Sequence, residues 1–236
     1  MKYSYKIIIG LAMLMVSAQL TNAQDAVYTK FMIGNSSPFA DFASNDEKKG
    51  GYALSGLGMG LEGVAFFDWI GLGGGVYYNL HSYDNATFIK QFNNQFPNAG
   101  ELTFDAKKYK AWTFLVGPYA KANISDKFKL IGKLKIGAMT AIAPETYIKL
   151  DPPFGDPEEL NIKYGKGTDV AFNGGIELMY LINDAFGVSF NVEATHSSPK
   201  YEFWRNNPST GFFEPVELEQ KISFVNIGLG FNFIVE

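Results

Sequence analysis

The sequence contains no cysteine, one arginine (Arg205) and two histidines among its 236 residues. Without cysteine the chain has neither a disulfide framework nor a thiol that could carry a lipid. The formal net charge of -4 disfavours nucleic acid as a partner. After the first 23 residues, no apolar stretch reaches the roughly 18 residues of a membrane helix. These absences exclude disulfide-rich secreted domains and helical membrane proteins, and they argue against a nucleic-acid-binding protein.

Residues 1–23 have the features of a secretory signal peptide. Lys2 and Lys6 precede the apolar run Ile7–Val16, and the small residues before Ala23 suit a cleavage site. The apolar run is too short to span a bilayer. We therefore expect cleavage after Ala23, export, and a single domain over residues 24–236.

Eight long stretches follow in which apolar and polar residues alternate with a period of two, which is typical of β-strands. Their connections are alternately long and short. In residues 128–142, Leu130, Leu134 and Ile136 share one face, and a helix would bury the lysines that lie between them. The tight polar turns lie at 67–69, 124–127 and 182–185, and the long polar connections at 37–50, 84–108, 144–168 and 201–218.

The size of the residues indicates which face of these strands points inward. Bulky Leu, Ile, Phe and Val occupy the apolar faces, whereas glycines such as Gly58 and Gly60 occupy the polar faces. Because an eight-stranded barrel has room only for side chains, the small residues belong inside and the apolar faces outside, in lipid. The alternative is an inverted, lipocalin-like soluble barrel. Gly58, Gly60 and Gly63 also match a dinucleotide-binding pattern, but no helix follows them as that site requires.

Aromatic residues are expected at both membrane interfaces, where their rings match the headgroup level. The group near the short turns comprises Phe67, Trp69, Phe128, Tyr180 and Phe186. The group near the long connections comprises Tyr52, Tyr78, Tyr83 and Trp112.

The last strand carries the pattern polar-x-Gly-x-x-aromatic-x-aromatic at Asn226, Gly228, Phe231 and Phe233, although residues 234–236 follow it. With the signal peptide and the eight strands, the chain resembles the small outer-membrane barrels of the OmpA transmembrane-domain and OmpX type. The resemblance implies an all-β fold, an eight-stranded antiparallel up-and-down transmembrane barrel with short periplasmic turns and long extracellular loops. It also implies a location in the bacterial outer membrane, contact with the barrel-insertion machinery and a monomer.

Charged residues at inward positions near mid-membrane height are the first candidate site. Because buried charges are costly unless paired, we expect an interior network in which Lys133 and Lys135 face Glu177. The network either plugs the lumen or gates a narrow porin-like channel. Its members are Lys30, Glu62, Lys133, Lys135, Glu177 and Glu193.

His196 and Ser198 form a second candidate, because alternate positions place both side chains on the outward face near the outer leaflet. This pair is similar to that of the lipid A deacylase PagL. A nucleophile pair also needs an acid to orient the histidine, and the candidates Glu202 and Glu214 lie in or beside a long loop. We expect a polar strand end rather than an enzyme. His81 is interpreted as a filler of the upper lumen.

The acidic segment around Asp151, Asp156, Glu158 and Glu159 lacks the ligand spacing of a calcium loop, so it is predicted to be a solvated surface loop. No metal or cofactor is expected. The long loops favour a structural or adhesion-type role with an extracellular ligand. Lipopolysaccharide is the expected lipid partner, through Lys200 and Arg205.

Overall fold

A computed structural model describes residues 26–46, 50–206 and 213–235 of the chain. Eight long strands form a closed wall, and shorter elements lie in the long connections. In chain order the elements are β1 (Ala26–Pro38), a 3-10 turn (Ala40–Phe42), β2 (Ala53–Phe67), β3 (Ile70–Tyr83), helix α1 (Asn85–Gln95), β4 (Glu101–Ala106), β5 (Tyr109–Asn123), β6 (Phe128–Ile142), β7 (Thr146–Asp151), β8 (Glu158–Ile162), β9 (Lys166–Asn183), β10 (Phe186–Ser197), β11 (Lys200–Asn206), β12 (Phe213–Glu219) and β13 (Ile222–Val235). The predicted signal peptide lies outside the described residues.

The wall closes because its last strand pairs with its first. Around the barrel the order is β1-β2-β3-β5-β6-β9-β10-β13, each wall strand antiparallel to its neighbours. Strands β13 and β1 pair in unbroken register from Val27 opposite Val235 to Pro38 opposite Phe224. Closure gives the backbone groups along every wall strand partners on both sides. The prediction of an eight-stranded antiparallel up-and-down barrel is confirmed.

The three short connections lie at one end of the barrel, at the predicted positions. Between β2 and β3 the chain reverses at Asp68 and Trp69, and Asp68 adopts a positive φ of 56°. Tight antiparallel hairpins need such a conformation, and aspartate tolerates it better than most residues.

Side chains divide between the two faces of the wall as the alternation predicts. Leu61 and Leu134 point outward and are 60% and 69% exposed. Inside, Gly34 on β1 lies opposite Gly58 on β2 and Gly228 on β13. A Cβ atom at Gly34 would lie 2.2 Å from the carbonyl oxygen of Ile227, so the strands approach too closely there for any larger residue.

The connections predicted as loops at 84–108 and 144–168 contain regular structure, so that part of the prediction is wrong. Strands β4, β7 and β8 form a separate antiparallel sheet in that order, and Glu158 and Glu159 lie on β8. Helix α1 packs on this sheet through Phe88, whose ring lies 4.1 Å from that of Phe104. No helix in the described ranges is long and apolar enough to cross a membrane.

Tyr52 and Tyr83 also depart from the prediction, because they point into the mouth of the barrel and not outward. Their rings stack with centroids 5.5 Å apart, and Phe88 of α1 packs edge-on against Tyr52 at 5.7 Å. The helix lies over the mouth, and its apolar side needs aromatic cover there. Tyr78 and Trp112, with centroids 4.5 Å apart, remain as the outer aromatic pair.

The close approach of Gly34, Gly58 and Gly228 predicts that closure of the barrel is sensitive to a side chain at Gly34. Gly34→Val should lower the fraction of refolded barrel severalfold, because a Cβ there meets backbone. Gly63→Val is the matched control, since a Cβ at Gly63 meets nothing within 4 Å. Heat-modifiable migration on a denaturing gel measures the folded fraction. Equal folded fractions for the two variants would show that the close approach does not limit closure.

Candidate functional site

Six charged side chains from five wall strands converge inside the barrel. Strands β1 and β2 bring Lys30 opposite Glu62 in register, and both lie at inward positions. All six side chains are at most 5% exposed as residues. The charge cluster consists of Lys30, Glu62, Lys133, Lys135, Glu177 and Glu193.

Every lysine of the charge cluster contacts at least two carboxylates. Lys30 Nζ lies 2.8 Å from both Glu62 Oε1 and Glu177 Oε2. Lys133 Nζ lies 2.7 Å from Glu193 Oε1 and 3.2 Å from Glu177 Oε2. The cluster is therefore a connected network and not a set of separate pairs.

The prediction that Lys135 faces Glu177 is wrong. Lys133 contacts Glu177 as predicted, but Lys135 Nζ lies 2.9 Å from Glu62 Oε2 and 2.8 Å from Glu193 Oε2. Lys135 is two residues further along β6, so its ammonium group meets carboxylates of β2 and β10. Sequence parity places a residue on a face, but it does not say which residue it meets across a lumen.

Two uncharged residues that sequence reasoning missed complete the charge cluster. The Tyr77 hydroxyl donates to Glu62 Oε2, and the Lys135 ammonium group lies 4.5 Å from the centroid of the Tyr77 ring. Asn191 Oδ1 accepts hydrogen bonds from Lys30 at 2.8 Å and Lys133 at 3.3 Å. Their inward parity on β3 and β10 is the signal that could have identified them.

Three lysines and three glutamates make the charge cluster neutral. This balance matters because an uncompensated charge in a low-dielectric interior costs several kcal/mol, whereas a fully paired and hydrogen-bonded set is tolerated. The cluster can thus hold six ionised groups inside the barrel without a net charge.

Apolar layers cover the charge cluster on both sides. Toward the short turns a cavity of about 10 Å³ remains, lined in part by Glu177 and Tyr119, which is room for about one water molecule. In the described residues, no group of three or more His, Asp or Glu side chains could hold a metal ion. The layer on the short-turn side contains Tyr28, Phe66, Ile131 and Met179, and the layer on the long-connection side contains Met32, Phe42, Tyr109, Met139 and Phe224.

His196 and Ser198 both lie in the described part of the chain and face outward. No hydrogen bond joins their side chains there. His196 Nδ1 instead lies 2.8 Å from Ser223 Oγ on the neighbouring strand β13. The backbone N–H of Ser198 donates to Asp169 Oδ2 at 3.3 Å. Of the proposed acids, Glu202 is exposed and the side chain of Glu214 lies outside the described part.

His81 fills the part of the lumen near the long connections, as predicted for the upper lumen. Its Nε2 lies 3.3 Å from Ser36 Oγ and its Nδ1 3.3 Å from the Leu54 carbonyl oxygen. The ring packs edge-on against Phe42 of the 3-10 turn at 5.0 Å.

The aromatic and last-strand residues lie on the faces that the alternation assigns to them. On β13, Asn226 and Gly228 point inward, whereas Phe231 and Phe233 point outward. Near the short turns, Phe128 packs on Tyr180 at 5.1 Å and Phe186 on Phe233 at 5.5 Å. Trp69, Phe128, Tyr180 and, near the long connections, Trp112 are exposed, while Phe67 and Phe186 are half-buried.

The outer rim and the long connections carry exposed charges. Lys107 and Glu145 form an ion pair between two long connections, and the hydrogen bond from Lys107 lowers the pKa of the Glu145 carboxyl. Lys200 is exposed at the rim, and the side chain of Arg205 lies outside the described part.

The family model of the "Outer membrane protein beta-barrel domain" matches residues 7–233. No curated protein sequence matches the chain. Among solved structures, Ail, the attachment invasion locus protein of Yersinia pestis, is 14% identical with a TM-score of 0.43, covering 89% of this chain and 99% of its own. The outer membrane protein OprG from Pseudomonas aeruginosa is 14% identical with a TM-score of 0.49, covering 88% and 95%. A major outer membrane protein from Thermus thermophilus is 9% identical with a TM-score of 0.49, covering 88% and 99%.

Removing one member of the charge cluster should be strongly destabilising. Lys133→Met leaves carboxylates uncompensated and should lower the free energy of unfolding by about 3–5 kcal/mol. Adding Glu193→Gln in the same chain restores neutrality and should recover part of that loss. Lys127→Met, in an exposed turn, is the control and should change it by less than about 0.5 kcal/mol. Urea unfolding in lipid vesicles, followed by tryptophan fluorescence, measures the three values; a loss for Lys133→Met no larger than the control would contradict the prediction.

Proposed function

The chain belongs to the outer membrane protein beta-barrel domain family, and we propose that it is a plugged barrel that presents its long connections to the medium as an interaction surface. The role is structural or adhesion-type and involves no catalysis. The observation that carries the proposal is the contrast between a filled lumen and a folded assembly of outer connections.

The folded part of the long connections, formed by α1, β4, β7 and β8, has the features of a recognition surface. Strands β7 and β8 form a hairpin whose tip carries Phe154, 93% exposed, and Leu160 on β8 is 41% exposed. Exposed aromatic residues on an ordered support are typical anchors of protein interfaces. Because β4 pairs with β7 of this hairpin and α1 packs on the resulting sheet, the tip is held on a folded base.

The remaining partners follow from the membrane setting. The signal peptide at 1–23 would direct export to the bacterial outer membrane, where the outward apolar wall meets lipid and lipopolysaccharide. The motif at Asn226, Gly228, Phe231 and Phe233 would be read by the barrel-insertion machinery. The barrel would function as a monomer, with no nucleic-acid partner.

A narrow gated channel is the second candidate, and the connectivity of the charge cluster favours it. Lys30 has three carboxylates within 4.0 Å, the farthest being Glu193 Oε1 at 3.9 Å. Such a network can exchange partners without leaving a charge unpaired. A transient rearrangement could then open a path.

Planar-bilayer recordings distinguish these two functions. The unmodified barrel should show conductance near zero, because side chains fill the lumen. Replacing both Glu62 and Lys133 by alanine removes two side chains from the cluster at unchanged net charge and should produce discrete openings. Lys127→Ala serves as the control. Discrete openings in the unmodified protein would support the gated channel, and a large ohmic conductance would show that side chains do not fill the lumen.

The adhesion-type role predicts that the hairpin tip contributes to binding. The purified barrel in nanodiscs should bind members of a panel of immobilised glycans and extracellular-matrix proteins. Phe154→Ser should weaken that binding by roughly tenfold or more, the usual effect of truncating an aromatic anchor. Phe190→Ser, a change of the same type on the lipid-facing wall, should leave binding unchanged. Absence of binding to every probe, or equal binding by Phe154→Ser, would contradict the role.

A further inference from the structure

The 3-10 turn at Ala40–Phe42 inserts an aromatic ring into the lumen at the end near the long connections. Phe42 is 1% exposed, and its ring packs edge-on against His81 at 5.0 Å and Tyr109 at 5.2 Å. His81 and Tyr109 lie opposite each other on β3 and β5. The turn and the ring of Phe42 therefore form a stopper that closes the lumen beside these two strands.

A buried polar side chain lies directly beneath the stopper. The inward pair that follows His81 and Tyr109 toward the short turns is Asn79 opposite Ala111. Asn79 is 1% exposed, and in the described part of the chain neither atom of its side-chain amide has a hydrogen-bond partner. An unpaired amide raises the free energy of the closed barrel, and water that reached Asn79 would lower it.

The backbone of the stopper is strained. Ala40, its first residue, has a φ of 52°, and Tyr52, where the same connection reaches β2, has a φ of 49°. Residues with a Cβ atom rarely adopt this left-handed conformation, and it persists only where the surrounding contacts impose it. Strain of this kind is concentrated at segments that switch between two conformations. Outward movement of the stopper would let Ala40 relax and would admit water to Asn79.

Gln91 of α1 holds the closed position from outside. Its Nε2 donates to the carbonyl oxygen of Asn45 at 3.0 Å, and its Oε1 accepts a hydrogen bond from the Tyr52 hydroxyl. One side chain thus joins the helix to the connection on both sides of its descent into the lumen. Because α1 packs on the sheet of β4, β7 and β8 through Phe88, the position of the stopper depends on how the helix is seated.

We propose that the stopper is a lid controlled by α1: a partner that binds the sheet of β4, β7 and β8 and displaces the helix releases the hydrogen bonds of Gln91, and Phe42 leaves the lumen. The inference rests on the proposed role of the long connections as an interaction surface. It adds a consequence of binding, namely access of water and small solutes to the outer half of the lumen. The charge cluster begins one inward position below Asn79, where Tyr77 donates to Glu62, and it stays closed. The lid therefore controls a chamber open to the medium and not a continuous pore.

The accessibility of a buried cysteine tests the lid without a binding partner. Because the chain has no cysteine, Asn79→Cys supplies a single thiol beneath the stopper, at a position with no side-chain hydrogen bond to lose. Mass spectrometry of the barrel in nanodiscs measures the rate at which a small, charged methanethiosulfonate modifies this thiol. Gln91→Ala should raise that rate roughly tenfold, the shift in an opening equilibrium that loss of a typical hydrogen bond produces. Asn94→Ala removes an exposed amide from the same helix and, as the matched control, should leave the rate unchanged.

The ring of Phe42 identifies the step that Gln91 controls. Phe42→Ala removes the ring and should raise the modification rate at least as much as Gln91→Ala does. In the Phe42→Ala background, Gln91→Ala should have no further effect, because both changes act on the same opening step. An undiminished gain in that background would show that Gln91→Ala loosens the barrel in general, which would overturn the proposal. Heat-modifiable migration confirms that each variant is folded.

A change in the outer sheet tests the link between the seating of α1 and the lid. Leu102 on β4 belongs to the apolar cluster on which the helix packs, so Leu102→Ala should raise the modification rate severalfold. Thr103→Ala, on the opposite face of the same strand, is the control. An unchanged rate for either Leu102→Ala or Gln91→Ala would overturn the proposal. Because the assay uses no binding partner and no conductance, its outcome is separable from that of the proposed function.

Discussion

The width of an eight-stranded lumen constrains every inward residue of this protein. The interior is only wide enough for side chains, so each inward position must be very small, packed into a layer, or charged with partners at hand. All three solutions occur in succession along the barrel. Gly34 lies where neighbouring strands meet, Phe42 and Phe66 belong to the two apolar layers, and the charge cluster lies between those layers.

The charge cluster also fixes how the strands are aligned. Its members come from five strands, and a slip of one residue in any of them would turn a charged side chain toward lipid. Buried ion pairs add little stability compared with apolar packing of the same volume. Their effect here is to penalise wrong registers heavily, which matters in a wall whose outward faces are mainly apolar.

Much of the barrel could be predicted from the sequence because a period of two is a strong signal over strands of 12 to 18 residues. It assigned all six members of the charge cluster to the interior. It failed for β4, β7 and β8 because strands of five or six residues contain too few periods for the alternation to stand out within a long polar connection, even though β4 alternates strictly. It also failed for Tyr52, because the helix that covers it is formed by a distant segment. The contact of His196 with Ser223 requires knowing that β10 and β13 are neighbours.

The position of Lys30 on the first strand has a consequence for how the chain enters a membrane. Its carboxylate partners lie on β2, β9 and β10, so Lys30 meets Glu177 and Glu193 only when the last strands have closed onto the first. A partly inserted chain therefore holds ammonium and carboxylate groups that have not yet met, in surroundings that solvate neither. Neutralisation and sealing of the wall become a single event. Insertion then has the character of an all-or-none transition, in which open intermediates are sparsely populated.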